Sequence, residues 1–210
     1  LEDRPFCKSF LQTLAQSENY GFSGEMFPYA HQLEAWEALT AKSPKSAIIT
    51  SGTGSGKTEC FMMPILNDLI SEYEASGKSP LKGVRALFLY PLNALINSQK
   101  ERLHEWTSPY KEGVRFALYN GNTAETKYSV RREQDEQPNQ ILSRELLRES
   151  PAPILLTNST MLEYMLVRQQ DAPIIQYSKE NKTLRWIVLD EAHTYIGSQA
   201  AEISLLLRRV

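Results

Sequence analysis

The chain has 210 residues, of which 41% are apolar and 23% charged, and its net charge is −2. This length allows one substantial α/β domain but not two of that type. The charge excludes an overall basic field, so any binding to nucleic acid has to come from a local face. Cys7 and Cys60 are too few for a disulfide framework or a zinc site, and no apolar run reaches membrane-spanning length. We therefore expect a cytoplasmic protein, and the start at Leu1 instead of Met suggests a piece of a longer chain.

Strand and helix patterns alternate along the sequence. Apolar runs predict strands over residues 46–50, 84–90, 114–119, 153–157 and 184–189. Helical spacing predicts helices around 10–14 and 33–39, after Lys57 with a kink at Pro64, over 91–105 and 141–147, from Thr160 onward, and around 203–210. Residues 124–138 are charged and poor in aliphatic side chains, which predicts an exposed loop.

The alternation predicts an α/β fold with a mainly parallel sheet and helices on both faces. We expect residues 1–26 to form a helical segment that packs on a domain spanning 27–210. In such sheets, ligands bind at the carboxyl ends of the strands. Candidate functional side chains follow several of the predicted strands, so we expect them along one edge of the sheet.

Residues 51–58, Ser-Gly-Thr-Gly-Ser-Gly-Lys-Thr, join a predicted strand to a predicted helix. Glycines let backbone N–H groups turn inward on a polyphosphate, and the helix N-terminus adds its own unpaired donors. Lys57 would then reach the β and γ phosphates, and the Thr58 hydroxyl would bind Mg²⁺. The residues between the first Gly and Lys57 would form the phosphate cradle: Thr53, Gly54, Ser55 and Gly56. Ser51 stands where the strict pattern has Gly, and the alternative is a Gly/Ser-rich surface turn.

Asp190 and Glu191 close the last apolar strand. An acidic pair at this place fits Mg²⁺ binding by Asp190 and activation of a water molecule by Glu191. The alternative is a solvated strand end. His193 fits a structural role or a role in coupling equally well. The pairs Arg131–Arg132 and Arg144–Arg148 are expected to be solvated charge.

Together, Ser-Gly-Thr-Gly-Ser-Gly-Lys-Thr and Asp-Glu-Ala-His resemble the first RecA-like domain of a superfamily 2 DEAD/DEAH-box helicase, over residues 27–210. Residues 29–32 resemble the Q motif, in which Gln32 would read the adenine edge. Residues 90–95, 121–123 and 157–162 resemble the family's three strand-contacting motifs. The nucleic-acid contacts implied in these motifs are Asn93, Gly121, Thr123, Thr157 and Thr160. For each of them the alternative is a purely structural role in a turn or a helix cap. The residues of these motifs are most similar to those of bacterial RecQ-like DNA helicases associated with repair or defence.

The resemblance implies ATP and Mg²⁺ as cofactors, nucleic acid as a partner with DNA favoured over RNA, and a second RecA-like domain that supplies an arginine finger. It therefore implies an ATP-dependent helicase or translocase, and we expect little turnover from these residues alone. Two alternatives stay open. One is a P-loop nucleotide switch or kinase without a nucleic-acid role, and the other is a scaffold ATPase in a repair or phage-defence complex without unwinding activity.

Overall fold

The computed structural model describes residues 6–22, 27–52 and 54–210. The chain divides into two compact units, Leu1–Lys78 and Ser79–Val210. In the described residues the helices are α1 (Lys8–Gln16), α2 (Ala30–Thr40), α3 (Lys57–Ala75), α4 (Asn93–Ser98), α5 (Lys100–Thr107), α6 (Arg131–Glu136), α7 (Arg144–Glu149), α8 (Ser159–Val167), α9 (Ala172–Asn181) and α10 (Ser198–Leu207). The strands there are β1 (Ala86–Leu89), β2 (Phe116–Tyr119), β3 (Gln140–Ile141), β4 (Ile154–Thr157) and β5 (Trp186–Leu189). Short 3-10 helices cover Ser108–Gly113, Lys127–Val130 and Ala192–Thr194.

The first unit is built on α3, whose apolar residues predicted a helix with one buried face. α3 is one continuous helix that includes Pro64, and the kink expected there stays a prediction. The ring of Trp36, on α2, is buried and lies 5.1 Å from that of Phe6 and 6.1 Å from that of Phe22, both in edge-on contact. The backbone N–H of Cys7 donates to Asn67 Oδ1 of α3 at 2.7 Å. Residues 6–22 therefore pack within this unit. The division into a segment 1–26 and a domain 27–210 stays a prediction.

The predicted strand at 46–50 is wrong. Residues 44–50 are described, form no strand, and leave the side chain of Ile48 94% exposed. An apolar run becomes a strand only when a neighbour takes up its backbone hydrogen bonds. The paired strands of the described residues all lie between Ala86 and Leu189.

The second unit contains the sheet, and its described strands pair in the order β3-β2-β4-β1-β5, all parallel. Leu89 of β1 is level with Thr157 of β4 and with Leu189 of β5, and Thr157 is level with Tyr119 of β2. Four strands therefore end together. The residues that follow them lie along one edge, as the pattern of apolar runs predicted.

The core of this unit fills the space between the sheet and its helices. All residues of β1 and β4 are buried. The cluster that joins them to β2 and to α7–α10 includes Leu87, Leu89, Ala117, Leu147, Leu155, Leu162, Met165, Ile174 and Leu206. β5 is the edge strand of the described sheet, and its Ile187 and Leu189 are 45% and 37% exposed.

Other elements also differ from the sequence-based expectations. The helix expected over 141–147 begins only at Arg144, and Ile141 belongs to strand β3. The helix expected over 91–105 is two helices, α4 and α5, which meet at Gln99. The loop expected over 124–138 contains a 3-10 turn and α6, although neither has a buried residue. α9 was not predicted, and Pro173 in its first turn was the available signal.

Candidate functional site

The loop before α3 has the backbone that its glycines allow. Gly54 and Gly56 have φ of 74° and 71°, in the left-handed region, and Gly56 is the residue immediately before α3. A Cβ atom on Gly56 would come closer than 3.0 Å to Gln32 Nε2, so glycine is needed there both for its conformation and for space. Thr53 lies outside the described residues. The remaining cradle residues therefore form a tight turn that leads directly into a helix N-terminus.

Gln32 connects the start of α2 to this loop. Its side chain is 3% exposed, its Oε1 accepts the N–H of Tyr29 at 2.9 Å, and its Nε2 donates to the Gly56 carbonyl at 3.1 Å. The side-chain oxygen caps α2 while the amide group holds the loop that precedes α3. Reading of adenine by Gln32 stays a prediction.

Two more α2 side chains bond to the loop or to the first turn of α3, and sequence reasoning missed both. His31 Nε2 lies 2.9 Å from the Ser55 carbonyl, and Trp36 Nε1 donates to the Glu59 carbonyl at 3.0 Å. Gln32 and Trp36 are four residues apart and share one face of the helix. That spacing was the signal that could have identified α2 as the support of the loop.

Lys57 lies over the loop. Its Nζ donates to the carbonyls of Ser51 at 2.8 Å and Gly52 at 2.7 Å. The hydroxyls of Ser51 and Ser55 are 2.5 Å apart, so the serine that departs from the strict pattern also bonds within the loop. Thr58 is the second residue of α3 and is half-buried. The loop thus presents a positive charge and a helix N-terminus together, the combination that attracts phosphate.

Asp190 and Glu191 follow β5 in a strained turn. The Asp190 N–H continues the strand pairing by donating to the Leu89 carbonyl at 3.1 Å, and Asp190 Oδ1 accepts the N–H of Glu191 at 2.9 Å. Glu191 has φ of 51° and ψ of 40°, a left-handed conformation that is uncommon for a residue with a Cβ. The Thr194 N–H and hydroxyl both donate to the Glu191 carbonyl, at 2.9 and 2.8 Å. Such strain persists where surrounding contacts impose it, and it concentrates at functional sites.

His193 lies next to this pair. Its Nδ1 is 3.3 Å from Glu191 Oε2, and the two side chains are 77% and 40% exposed. The contact places His193 on the solvent side of the acidic turn. A role of His193 in coupling stays a prediction.

Burial, together with the negative charge of Asp190, raises the pKa of two tyrosine hydroxyls, those of Tyr90 and Tyr195. Tyr90 follows β1 and is fully buried, and Tyr195 follows the 3-10 helix Ala192–Thr194 and is half-buried. Burial raises the pKa of Tyr90, and the negative charge of Asp190 adds to this effect. Burial and then Asp190 raise the pKa of Tyr195 in the same way. Both hydroxyls therefore keep their protons at neutral pH.

Residues after β1 and β4 meet at the carboxyl edge of the sheet. Asn158 Nδ2 donates to Asn93 Oδ1 at 2.9 Å, which links the start of α4 to the start of α8. Asn158 Oδ1 accepts the N–H of Met161 at 2.8 Å and is the N-cap of α8, a residue type that favours this position. α8 therefore begins before Thr160, which is the exposed second residue of the helix.

The other candidate contact residues differ in accessibility. Gly121 is exposed, but the Thr123 hydroxyl donates to the Leu118 carbonyl at 2.8 Å and accepts the Asn120 N–H at 2.9 Å. Thr157 is 0% exposed and its hydroxyl donates to the Tyr119 carbonyl at 2.7 Å. In this structure the Thr157 side chain links β4 to β2 and does not reach the surface that carries Asn93 and Thr160.

The expectation of solvated charge at Arg144–Arg148 is wrong. The side chain of Arg148 is 18% exposed and its Nε donates to Asp171 Oδ1 at 2.8 Å, while its Nη1 bonds to Glu125 at 2.5 Å. Asp171 is fully buried. Asp171 also acts on Tyr119: burial and, in addition, this carboxylate raise the pKa of the Tyr119 hydroxyl to about 12. Arg148 thus joins α7 to the N-cap residue of α9. Arg144 is 14% exposed, donates to the Asn120 carbonyl and pairs with Glu125. Arg132, by contrast, is 93% exposed, as expected.

The donor set fits the predicted cation. Mg²⁺ prefers hydroxyl and carboxylate oxygens, and it binds few protein groups because phosphate and water complete its coordination. Thr58 supplies the hydroxyl in the first unit and Asp190 the carboxylate in the second. Each residue by itself has an oxygen donor that suits Mg²⁺, and the binding of one cation by both stays a prediction.

The family model for DEAD/DEAH box helicases matches residues 29–210. The chain belongs to the DEAD/DEAH box helicase family. Druantia protein DruE of Escherichia coli (strain UMEA 4076-1) is 28% identical over 98% of this chain and 16% of its own length. The ATP-dependent helicase hrq1 of Schizosaccharomyces pombe is 26% identical over 99% of this chain and 16% of its own length.

Solved helicase structures share the fold. The crystal structure of the DUF1998 helicase MrfA bound to DNA and AMPPNP superposes with a TM-score of 0.63 at 24% identity, over 98% of this chain and 25% of MrfA. This likeness confirms the RecA-like α/β fold. The chain spans only about a sixth to a quarter of the length of these relatives. None of the helices within the described ranges is long and apolar enough to cross a membrane.

Proposed function

We propose that the chain is the ATP-binding motor domain of an ATP-dependent nucleic-acid helicase or translocase that acts on DNA. The observation that carries the proposal is the loop at 51–58, where left-handed Gly54 and Gly56 lead into α3 and Lys57 covers the loop. The family match supports the same conclusion. The relatives named above include an ATP-dependent helicase and a helicase solved with DNA and a nucleotide.

The chain's own residues divide the work. Lys57 would exchange its two loop carbonyls for phosphate oxygens, and the N-terminal N–H groups of α3 would bind the same anion. Asp190 and Thr58 would hold Mg²⁺, which neutralises phosphate charge when bound. Glu191 would accept the proton of the attacking water.

The nucleic acid would bind along the carboxyl edge of the second unit. Asn93, Gly121 and Thr160 are exposed there, at turns and helix starts that offer backbone N–H groups. Contacts of this kind grip phosphates without reading the bases. Binding should therefore be independent of sequence and sensitive to salt. A motor that steps along any sequence needs such contacts.

The test is ATP hydrolysis by the full-length protein with and without single-stranded DNA, and with RNA of the same sequence. We expect stimulation that is larger with DNA. Lys57→Ala should remove Mg-ATP binding, and Lys45→Ala, which removes one exposed charge outside the loop, should not. Glu191→Gln should keep ATP binding and lower turnover by about 10²–10⁴-fold. Glu202→Gln on α10 is the matched control.

The outcomes separate the alternatives. Unchanged nucleotide affinity in Lys57→Ala would refute the phosphate-loop assignment. Hydrolysis that ignores every nucleic acid would favour a nucleotide switch or a scaffold ATPase. Hydrolysis stimulated by RNA alone would refute the assignment to DNA.

A further inference from the structure

Two buried hydroxyls close to the acidic turn have no hydrogen-bond partner among the described residues: those of Tyr90 and Tyr195. A buried hydroxyl without a partner is destabilising, because it has lost its hydrogen bonds to water and gained none in return. Native structures contain few such groups, and a bound water, ion or ligand is a common reason for them. Both hydroxyls therefore need an explanation. Tyr195 lies five residues after Asp190 in the sequence, and Tyr90 follows β1, the strand that pairs with the one before Asp190.

The strand register fixes Tyr90 beside Asp190. Leu89 is level with Leu189, so Tyr90 and Asp190 each stand one residue beyond their strand. Tyr90 donates its N–H to the Thr157 carbonyl at 3.0 Å, and Asp190 donates its N–H to the Leu89 carbonyl at 3.1 Å. Residues at matching positions of neighbouring strands point to the same face of a sheet. The two side chains accordingly share one face at the carboxyl edge.

Tyr195 follows the acidic turn along the chain. Its N–H donates to the Ala192 carbonyl at 3.2 Å, which closes the 3-10 helix that begins after Glu191. The charge of Asp190 acts on both hydroxyls, and the positive charge of Arg102 on α5 also acts on Tyr90. Each protonated phenol can donate one hydrogen bond, and a carboxylate accepts several.

We propose that Tyr90 and Tyr195 are positioning residues for Asp190. With Mg²⁺ and nucleotide bound, their hydroxyls donate hydrogen bonds to the Asp190 carboxylate and to the water around it. This holds the carboxylate in the orientation that binds the cation. The proposal rests on the proposed function, because it assigns to Asp190 the role of a magnesium ligand.

The test uses Tyr90→Phe and Tyr195→Phe in the full-length protein, with two measurements that a purely structural role would move together. The first is the Mg²⁺ concentration that gives half-maximal binding of a fluorescent ATP analogue. The second is the thermal unfolding midpoint without Mg²⁺ and nucleotide. We expect each variant to need about tenfold more Mg²⁺, since a hydrogen bond to a charged group is lost. The midpoint should stay unchanged or rise, because phenylalanine removes a hydroxyl that lacks a partner.

Tyr119→Phe is the matched control. Tyr119 is also fully buried and ends β2, but Asp171 acts on it in place of Asp190. Its Mg²⁺ requirement should equal that of the wild type. Should Tyr90→Phe unfold, Tyr195→Phe, whose ring is only half-buried, carries the test.

The inference is overturned if every variant that folds keeps the wild-type Mg²⁺ requirement while the wild type binds nucleotide normally. A wild-type protein that shows no Mg²⁺-dependent nucleotide binding is a different result, which overturns the proposed function itself.

Discussion

Replacing Gly56 with alanine should damage the phosphate loop more than the loss of a glycine alone explains. Gly56 has φ of 71°, and a Cβ there would clash with Gln32 Nε2. Gly77 has φ of 70° but open space around the same position. The two glycines lie in one unit, so Gly77→Ala reports the conformational cost and Gly56→Ala adds the clash.

The magnitudes follow from these contacts. A left-handed conformation costs an L-residue roughly 1–2 kcal/mol, which is the expected loss of unfolding free energy for Gly77→Ala. In Gly56→Ala the Gln32 side chain must move, which breaks its bonds to the Tyr29 N–H and the Gly56 carbonyl. Each bond contributes about 0.5–1.5 kcal/mol, so the loss should be about 1–3 kcal/mol larger.

Urea unfolding followed by circular dichroism measures both losses, and a nucleotide titration should show weakened Mg-ATP binding only for Gly56→Ala. In a Gln32→Ala background the clash disappears, and the cost of Gly56→Ala should fall to that of Gly77→Ala. Equal costs for the two glycines in the wild-type background would refute the reasoning, since they would mean that Gln32 does not occupy this space.

Three other predictions concern the second unit and the nucleic acid. Asp171→Asn should lower the free energy of unfolding by roughly 3–5 kcal/mol, because Arg148 would lose its buried, charged partner. The control is Glu136→Gln, which breaks an exposed ion pair and should cost less than about 1 kcal/mol in the same urea denaturation assay. Asn158→Ala removes an N-cap and should cost about 0.5–2 kcal/mol by that measurement; no loss would mean that α8 has another cap. DNA affinity of the full-length protein should fall linearly with salt on logarithmic scales, and a salt-independent affinity would contradict phosphate contacts.

Local patterns in the sequence were sufficient for much of the fold. The helix at Lys57 and the strands around Ala86, Phe116, Ile154 and Trp186 were predicted because burial makes their apolar residues periodic or continuous. The parallel arrangement followed from the alternation of these elements. The glycines of the phosphate loop were predicted on conformational grounds, and Gly54 and Gly56 have the expected left-handed backbone.

Features that depend on distant partners were missed. Residues 46–50 have the composition of a strand but no strand pairs with them in the described structure. The burial of Thr157 depends on which face it takes in β4 and on the Tyr119 carbonyl across the sheet. Arg148 was predicted to be surface charge because its partner, Asp171, lies 23 residues away in the sequence. None of these partners is visible in a local window of sequence.

The strained backbone of Glu191 means that an intact Asp-Glu-Ala-His motif does not by itself indicate an active ATPase. Its left-handed conformation depends on Asp190 Oδ1 in front and on the two Thr194 donors behind. A substitution at Thr194 would leave the letters Asp-Glu-Ala-His unchanged, yet it would remove the hydroxyl that donates to the Glu191 carbonyl and so weaken the support of the strained turn. Among homologous proteins, an intact acidic motif is therefore compatible with a silent ATPase. The residue after the motif has to be inspected before a relative is counted as a working motor.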